Sequence, residues 1–275
     1  MHAIDPLYSV SGFVGGLLVG MTGVGGGSLM TPLLIVLFGV HPATAVGTDL
    51  LFAAATKTGG SLVHGLAHTI DWTVVRRLAS GSVPSTALTL LVLSRFDVNG
   101  AAMRDLITTV LSVALFVTVG LLIYRRKLLT FYAARVGKLS ARRTSWLTFL
   151  SGAVLGVLVS ISSVGTGAIG VTFLILLYPH LPMARIVGSD IAHAVPLTLV
   201  AGLGHWMLGS VDWQIFSSLL VGSLPGIFLG SYLSGRVPEL ALRIILALTL
   251  AVVGSKLAFE QIQNHLATVV SSPNQ

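Results

Sequence analysis

One pattern of glycine, proline and polar residues occurs twice along this chain, and it restricts the fold more than any other feature. Val46-Gly47-Thr48-Asp49 is answered 141 positions later by Val187-Gly188-Ser189-Asp190. The same offset pairs His64 with His205, Asp71-Trp72 with Asp212-Trp213, Gly81-Ser82 with Gly222-Ser223, Pro84 with Pro225 and Arg95 with Arg236. At an offset of 140, Val24-Gly25-Gly26-Gly27 returns as Val164-Gly165-Thr166-Gly167. Chance matches among aliphatic residues carry little information in an apolar chain, whereas matches at these positions carry a great deal. A duplicated, hydrophobic chain is the pattern of many membrane transporters, whose site lies where the two halves meet.

Hydrophobic residues make up 54% of the sequence and charged residues 9%, against about 25% charged in a soluble domain. The charges fall between apolar runs of roughly 20 residues, the length needed to cross a ~30 Å hydrocarbon core. A large soluble helical core would require charged helix faces, and these runs have none. The sequence therefore predicts an all-α integral membrane protein with about ten hydrophobic helices, five in each half. In the first half they run near 9–22, 28–39, 45–65, 73–93 and 104–124, and in the second near 146–161, 167–178, 186–207, 213–233 and 240–258. The first two of each set are short and meet at a glycine cluster, which suggests broken helices whose exposed backbone is buried in protein or lines a wet cavity. The organisation expected is a first membrane repeat over 1–124, a basic linker over 125–145 and a second membrane repeat over 146–275.

An odd number of crossings per half places the repeats in opposite orientations, related by a two-fold axis in the membrane plane. The charges give an independent reading. With the linker on the cytoplasmic side, the inner loops collect Arg76, Arg77, Arg125, Arg126, Lys127, Arg135, Lys138, Arg142, Arg143, Arg185, Arg236 and Arg243. The outer side keeps Arg95, Arg104 and Lys256, and both termini lie outside. The net charge of +7 thus reflects topology and contact with anionic membrane lipid, not nucleic acid. The absence of cysteine excludes thiol chemistry, disulfides and Cys-ligated metals. No histidine pair has metal-ligand spacing, and no cofactor motif is present.

Gly23-Val24-Gly25-Gly26-Gly27-Ser28 looks like a phosphate loop but lacks the Lys-Ser/Thr of a Walker sequence and the third glycine of a dinucleotide fingerprint. What survives is physical: glycines at the start of a short helix expose backbone N–H groups at its positive end, where an anion fits. Gly25, Gly26, Gly27 and Ser28 would form one half-site and Ser163, Gly165, Thr166 and Gly167 the other, with the hydroxyls of Thr48 and Ser189 nearby. Packing alone also accounts for such glycines. Gly12-Gly16-Gly20, Gly152-Gly156 and Gly226-Gly230 have the small-xxx-small spacing of close helix contacts.

Lys57 is the one lysine deep inside a predicted span, about 12 residues into its helix. It either attracts an anion or pairs structurally with Asp49, eight residues earlier. Asp49 and Asp190 follow Gly-Thr and Gly-Ser at predicted helix starts, where they could cap an N-terminus or act at the site. Asp190 and His193 are three apart on one helical face and could exchange a proton, which makes Asp49, Asp190 and His193 candidates for proton coupling. Neither Lys57 nor His193 is duplicated: Thr198 and Phe52 stand at the equivalent positions. The half-sites are therefore unequal, which suits one asymmetric substrate. Asp71 and Asp212 are expected to cap helices, each followed by an interfacial tryptophan.

Gly20-Met21-Thr22-Gly23-Val24-Gly25-Gly26-Gly27 with Pro32, then Ala45-Val46-Gly47-Thr48-Asp49-Leu50, Thr56-Lys57-Thr58-Gly59 and the Gly81-Ser82-Val83-Pro84 block resemble the TauE/SafE family of sulfite exporters. The resemblance spans roughly residues 10–258. It implies a multi-pass protein of the bacterial inner membrane that carries sulfur-containing anions such as sulfite, sulfonates, sulfoacetate or thiosulfate, commonly outward. Ser162-Ser163 and Thr166 depart from the glycine-rich pattern in the second half. Residues and resemblance together predict a secondary transporter working by alternating access, with no cofactor and no nucleotide-driven domain. A passive anion channel shares every binding feature, and a membrane-embedded enzyme is a distant alternative.

Overall fold

The computed structural model describes residues 4–22, 27–135, 140–233 and 239–271. Within them the chain forms ten α-helices: α1 (Pro6–Thr22), α2 (Gly27–Phe38), α3 (Pro42–Leu66), α4 (Trp72–Leu93), α5 (Ala101–Arg135), α6 (Ala141–Ser162), α7 (Ala168–Leu177), α8 (Met183–Met207), α9 (Trp213–Leu233) and α10 (Glu239–Ser271). Segments 101–124, 141–162, 183–207, 213–230 and 240–263 are long and apolar enough to cross a membrane. Large apolar side chains such as Leu66, Leu88, Val113, Phe228 and Leu248 are exposed, as a bilayer-facing surface requires. Helix α2 has 12 residues and α7 has 10. At about 1.5 Å per residue each covers roughly half of a ~30 Å core, as expected of broken helices.

Several boundaries differ from the sequence-based ones, and α6, expected to be short over 146–161, has 22 residues and is long enough to cross a membrane. The linker expected over 125–145 is largely helical, because α5 continues to Arg135 and α6 begins at Ala141. Apolar character ends at Tyr124, but the Arg-, Lys-, Leu- and Ala-rich run beyond it favours helix and contains no proline or glycine before Gly137. Likewise α10 continues past 258 to Ser271.

The helices of the two halves interleave: α1 packs along α9, α6 along α4, α3 along α8 and α5 along α10. Glycine sets the closeness of the first two contacts. A Cβ on Gly12 would lie 2.4 Å from the Leu219 carbonyl oxygen, and one on Gly152 would lie 2.2 Å from that of Leu78. Hydrogen bonds follow the same reciprocity. Asp71 N–H donates to Ser189 Oγ at 2.9 Å, and Asp212 N–H donates to Thr48 Oγ1 at 3.0 Å. Asp71 Oδ1 accepts from Thr73 N and Val74 N, and Asp212 Oδ1 from Gln214 N and Ile215 N. Both aspartates are thus N-caps. At the core of this arrangement, α3 and α8 run between the short helices α2 and α7.

Candidate anion site at the break between two helices

Helix α6 ends on Ser163, whose φ of 58° is left-handed. The chain then passes through Gly165 at φ +144° and Gly167 at φ +106° before α7 begins. L-residues with side chains rarely adopt such angles, so these two glycines are required by the turn itself. Three ionisable side chains from neighbouring helices meet this five-residue break. Ser163 Oγ donates to Asp49 Oδ2 at 2.9 Å, Lys57 Nζ donates to Thr166 Oγ1, and Gly167 N–H donates to Asp190 Oδ2 at 2.8 Å. The Lys57 ammonium interacts electrostatically with Asp190 and Asp49, and its field reaches His193. Every side chain of this group is buried; Lys57 is 7% exposed and Asp49 not at all.

The aspartates serve helices other than their own. Helices α3 and α8 start earlier than expected, at Pro42 and just after Pro182, since proline is well suited to a first turn. Asp49 and Asp190 therefore lie about two turns inside. Asp49 Oδ2 instead accepts from Thr31 Oγ1 at 2.6 Å and Thr31 N at 3.2 Å, in α2, while Asp190 serves the start of α7 through Gly167. Each carboxylate keeps one oxygen, Oδ1, without a hydrogen-bond partner. In this structure the positive end of α7 thus meets Asp190, and α2 meets Asp49 one turn in from its start.

Other candidates are placed elsewhere. The Thr48 and Ser189 hydroxyls are engaged at the starts of α9 and α4. His193 makes no hydrogen bond to Asp190: its Nε2 pairs with Ser82 Oγ at 2.8 Å, and its Nδ1 has no partner. The Lys57 hydrogen bond goes to Thr166 and not to Asp49. Gly27 and Ser28 open α2. Gly25 and Gly26 lie outside the described residues. Among the described residues, no three His, Cys, Asp or Glu side chains gather as a metal site would need.

This architecture has recognisable relatives. The family profile described as sulfite exporter TauE/SafE matches residues 8–257. The chain belongs to that family. It is 39% identical over 247 residues to the "Probable membrane transporter protein YjnA" of Bacillus subtilis, covering 88% of this chain and 95% of that protein. It is 26% identical over 255 residues to the "Probable membrane transporter protein YdhB" of the same organism, covering 90% and 97%. A "Probable membrane transporter protein" of Methanocaldococcus jannaschii is 25% identical over 265 residues, covering 90% and 93%. No solved structure matches the chain. A multi-pass membrane transporter, not an enzyme, is what this membership establishes.

In this TauE/SafE member three site residues escaped sequence reasoning. Thr31 gives Asp49 two donors, Ser82 holds His193, and Gly170 makes room for Asp190, because a Cβ there would lie 2.1 Å from Oδ1. Ser82 left a signal as part of the duplicated Gly81-Ser82 pair, and Gly170 left one as a small residue about one turn after Gly167 at the start of a ten-residue helix.

Proposed function

We propose that the chain is a secondary transporter of a small sulfur-containing oxyanion, of the sulfite, sulfonate, sulfoacetate or thiosulfate type, moving it outward by alternating access between two inverted repeats. The observation that carries this reading is the convergence of Lys57, Thr166 and the Gly167 N–H on one break in the α6–α7 helix pair. Ammonium, hydroxyl and backbone N–H are the donors an oxyanion needs, and a buried lysine in a membrane marks an ion pathway. The reciprocal bonds of Asp71 with Ser189 and of Asp212 with Thr48, together with the cation distribution, support the inverted arrangement with the 125–145 segment inside.

Burial of every charged group at this break favours a transporter over an open channel. An anion reaches Lys57, 7% exposed, only when helices move, and rocking of one half against the other provides that motion. Two carboxylates around one ammonium also leave the pocket with a formal negative charge. An entering oxyanion is accommodated when Asp190 or Asp49 takes up a proton and releases its helix N-terminus to the substrate. Substrate and proton therefore bind together. A dianion moving with one proton still carries net negative charge, so an inside-negative potential drives it outward by about 2.3 kcal/mol per charge per 100 mV.

Purified protein in liposomes tests this. Saturable efflux of sulfite or a sulfonate, with proton movement in the same direction, is the expected result. Flux that rises linearly with concentration and ignores an imposed pH gradient would establish a channel instead. Gly167→Ala, which strains the turn at φ +106°, should abolish flux, and normal transport by this variant would remove the break from the site.

A further inference from the structure

We propose a second anion site, distinct from the transport site: a pocket at the ends of α4 and α6 that holds the phosphate headgroup of an anionic phospholipid. The cleft is open, has a volume of about 630 Å³ and is lined by Arg77 and Ser80 of α4 and by Arg142, Arg143, Ser145, Trp146 and Phe149 of α6. Three arginines line one space whose lining contains no acid. Arginine suits phosphate because its planar fork donates two parallel hydrogen bonds.

The pocket is built and not merely basic. Arg77 Nη1 donates to Tyr178 Oη at 3.2 Å, and that oxygen pairs with the buried Thr148 Oγ1 at 2.9 Å. The guanidinium is thereby held from behind, leaving its other donors for a ligand. Equivalent positions in the other half show that helix packing does not require this chemistry. There Ser218 replaces Arg77 and Asp5 replaces Ser145, and the two close on each other through Asp5 N–H to Ser218 Oγ at 3.0 Å. Phe38 and Tyr8 replace Tyr178 and Thr148 and pack in a tilted arrangement with ring centroids 4.6 Å apart.

Surroundings point to a lipid as the source of the phosphate. Trp146 is exposed and stacks on Phe149 at 5.3 Å, the amphipathic ring placement of a membrane boundary. Leu147, Leu150 and Val154 continue exposed along α6 below it, offering an apolar track for acyl chains. Basic pockets between membrane helices at that depth suit anionic headgroups.

Native mass spectrometry of the purified full chain, exchanged into phosphatidylglycerol or phosphatidylcholine, tests the site. The expected result is a retained phosphatidylglycerol adduct and no retained phosphatidylcholine adduct. Arg142→Gln with Arg143→Gln should lower phosphatidylglycerol occupancy at least fivefold, and Arg77→Lys, which keeps the charge but loses the fork, at least twofold. Arg95→Gln with Arg104→Gln removes as much charge elsewhere and should leave the adduct intact. Equal occupancy in wild type and the Arg142/Arg143 variant would overturn the proposal, as would equal loss in the Arg95/Arg104 variant. Millimolar inorganic phosphate that raises the melting temperature of delipidated protein as much as phosphatidylglycerol does would reassign the pocket to a soluble anion and overturn it as well.

Discussion

Helices α3 and α8 occupy equivalent places in the two halves, and the residues they share do different work from those they do not. Shared Gly47 and Gly188 let each helix touch the opposite half: a Cβ would lie 2.2 Å from Ser210 O in one case and 2.5 Å from Thr69 O in the other. Shared Thr48 and Ser189 hold α9 and α4, and shared Asp49 and Asp190 serve the short helices. Of the buried positions that differ, two carry an ionisable side chain on one helix only. Lys57 of α3 reaches Thr166, whereas Thr198 of α8 bonds back to Ala194 O within its own helix. His193 of α8 reaches Ser82, whereas Phe52 of α3 packs among Met30, Leu34, Ile215 and Leu219. Duplicated residues build the frame, and the unduplicated ones give it a single cationic side.

Removing Lys57 breaks that asymmetry most severely. Lys57→Ala leaves two carboxylates and no cation facing the substrate, so transport affinity should fall at least tenfold, about 1.4 kcal/mol, in protein that still folds. Lys57→Arg should recover part of the loss, since charge is kept and hydration and shape are not. Unchanged affinity in a folded Lys57→Ala variant would reduce the lysine to a structural donor for Thr166.

Next comes the aspartate pair. If anion and proton bind together, apparent substrate affinity rises as pH falls, by up to about tenfold per unit or 1.36 kcal/mol. Asp190→Asn keeps an acceptor for Gly167 N–H but cannot titrate, and should flatten that slope. Asp49→Asn should flatten it less, because Asp49 already accepts three hydrogen bonds, from Thr31 Oγ1, Thr31 N and Ser163 Oγ. A pH slope that survives both substitutions would rule out coupling through these groups.

His193→Phe makes α8 resemble α3 at this position. It leaves Ser82 Oγ without its partner in a buried setting, and an unpaired buried group costs about 1–3 kcal/mol. Lower thermal stability with transport changed only a few-fold is expected. Abolished transport at wild-type stability would move His193 into the site itself. The smallest effect belongs to Gly59→Ala on α3, where an added Cβ meets nothing within 4 Å. Because alanine is the better helix former by about 0.5–1 kcal/mol, flux should be unchanged and the melting temperature equal or slightly higher. A loss of flux would show that α3 bends at Gly59 during transport.

Helix number, approximate limits and membrane character were legible in the sequence, because hydropathy and chain breaks are properties of neighbouring residues. The duplication was legible for the same reason: glycine, proline and aspartate stand out against an aliphatic background. Helix ends such as Arg135 and Ser271 were missed because helix propensity continues where hydropathy stops. Which group meets which was decided only by the tertiary structure. Asp49 looked like the cap of its own helix and instead serves α2, 18 residues away, and Ser163, 114 residues away. One of the two readings of Lys57 paired it with Asp49, whereas its hydrogen bond goes to Thr166, 109 residues away. A buried polar side chain must find a partner, but helix crossing and the path of a broken backbone determine which one lies within reach, and neither is written in local sequence.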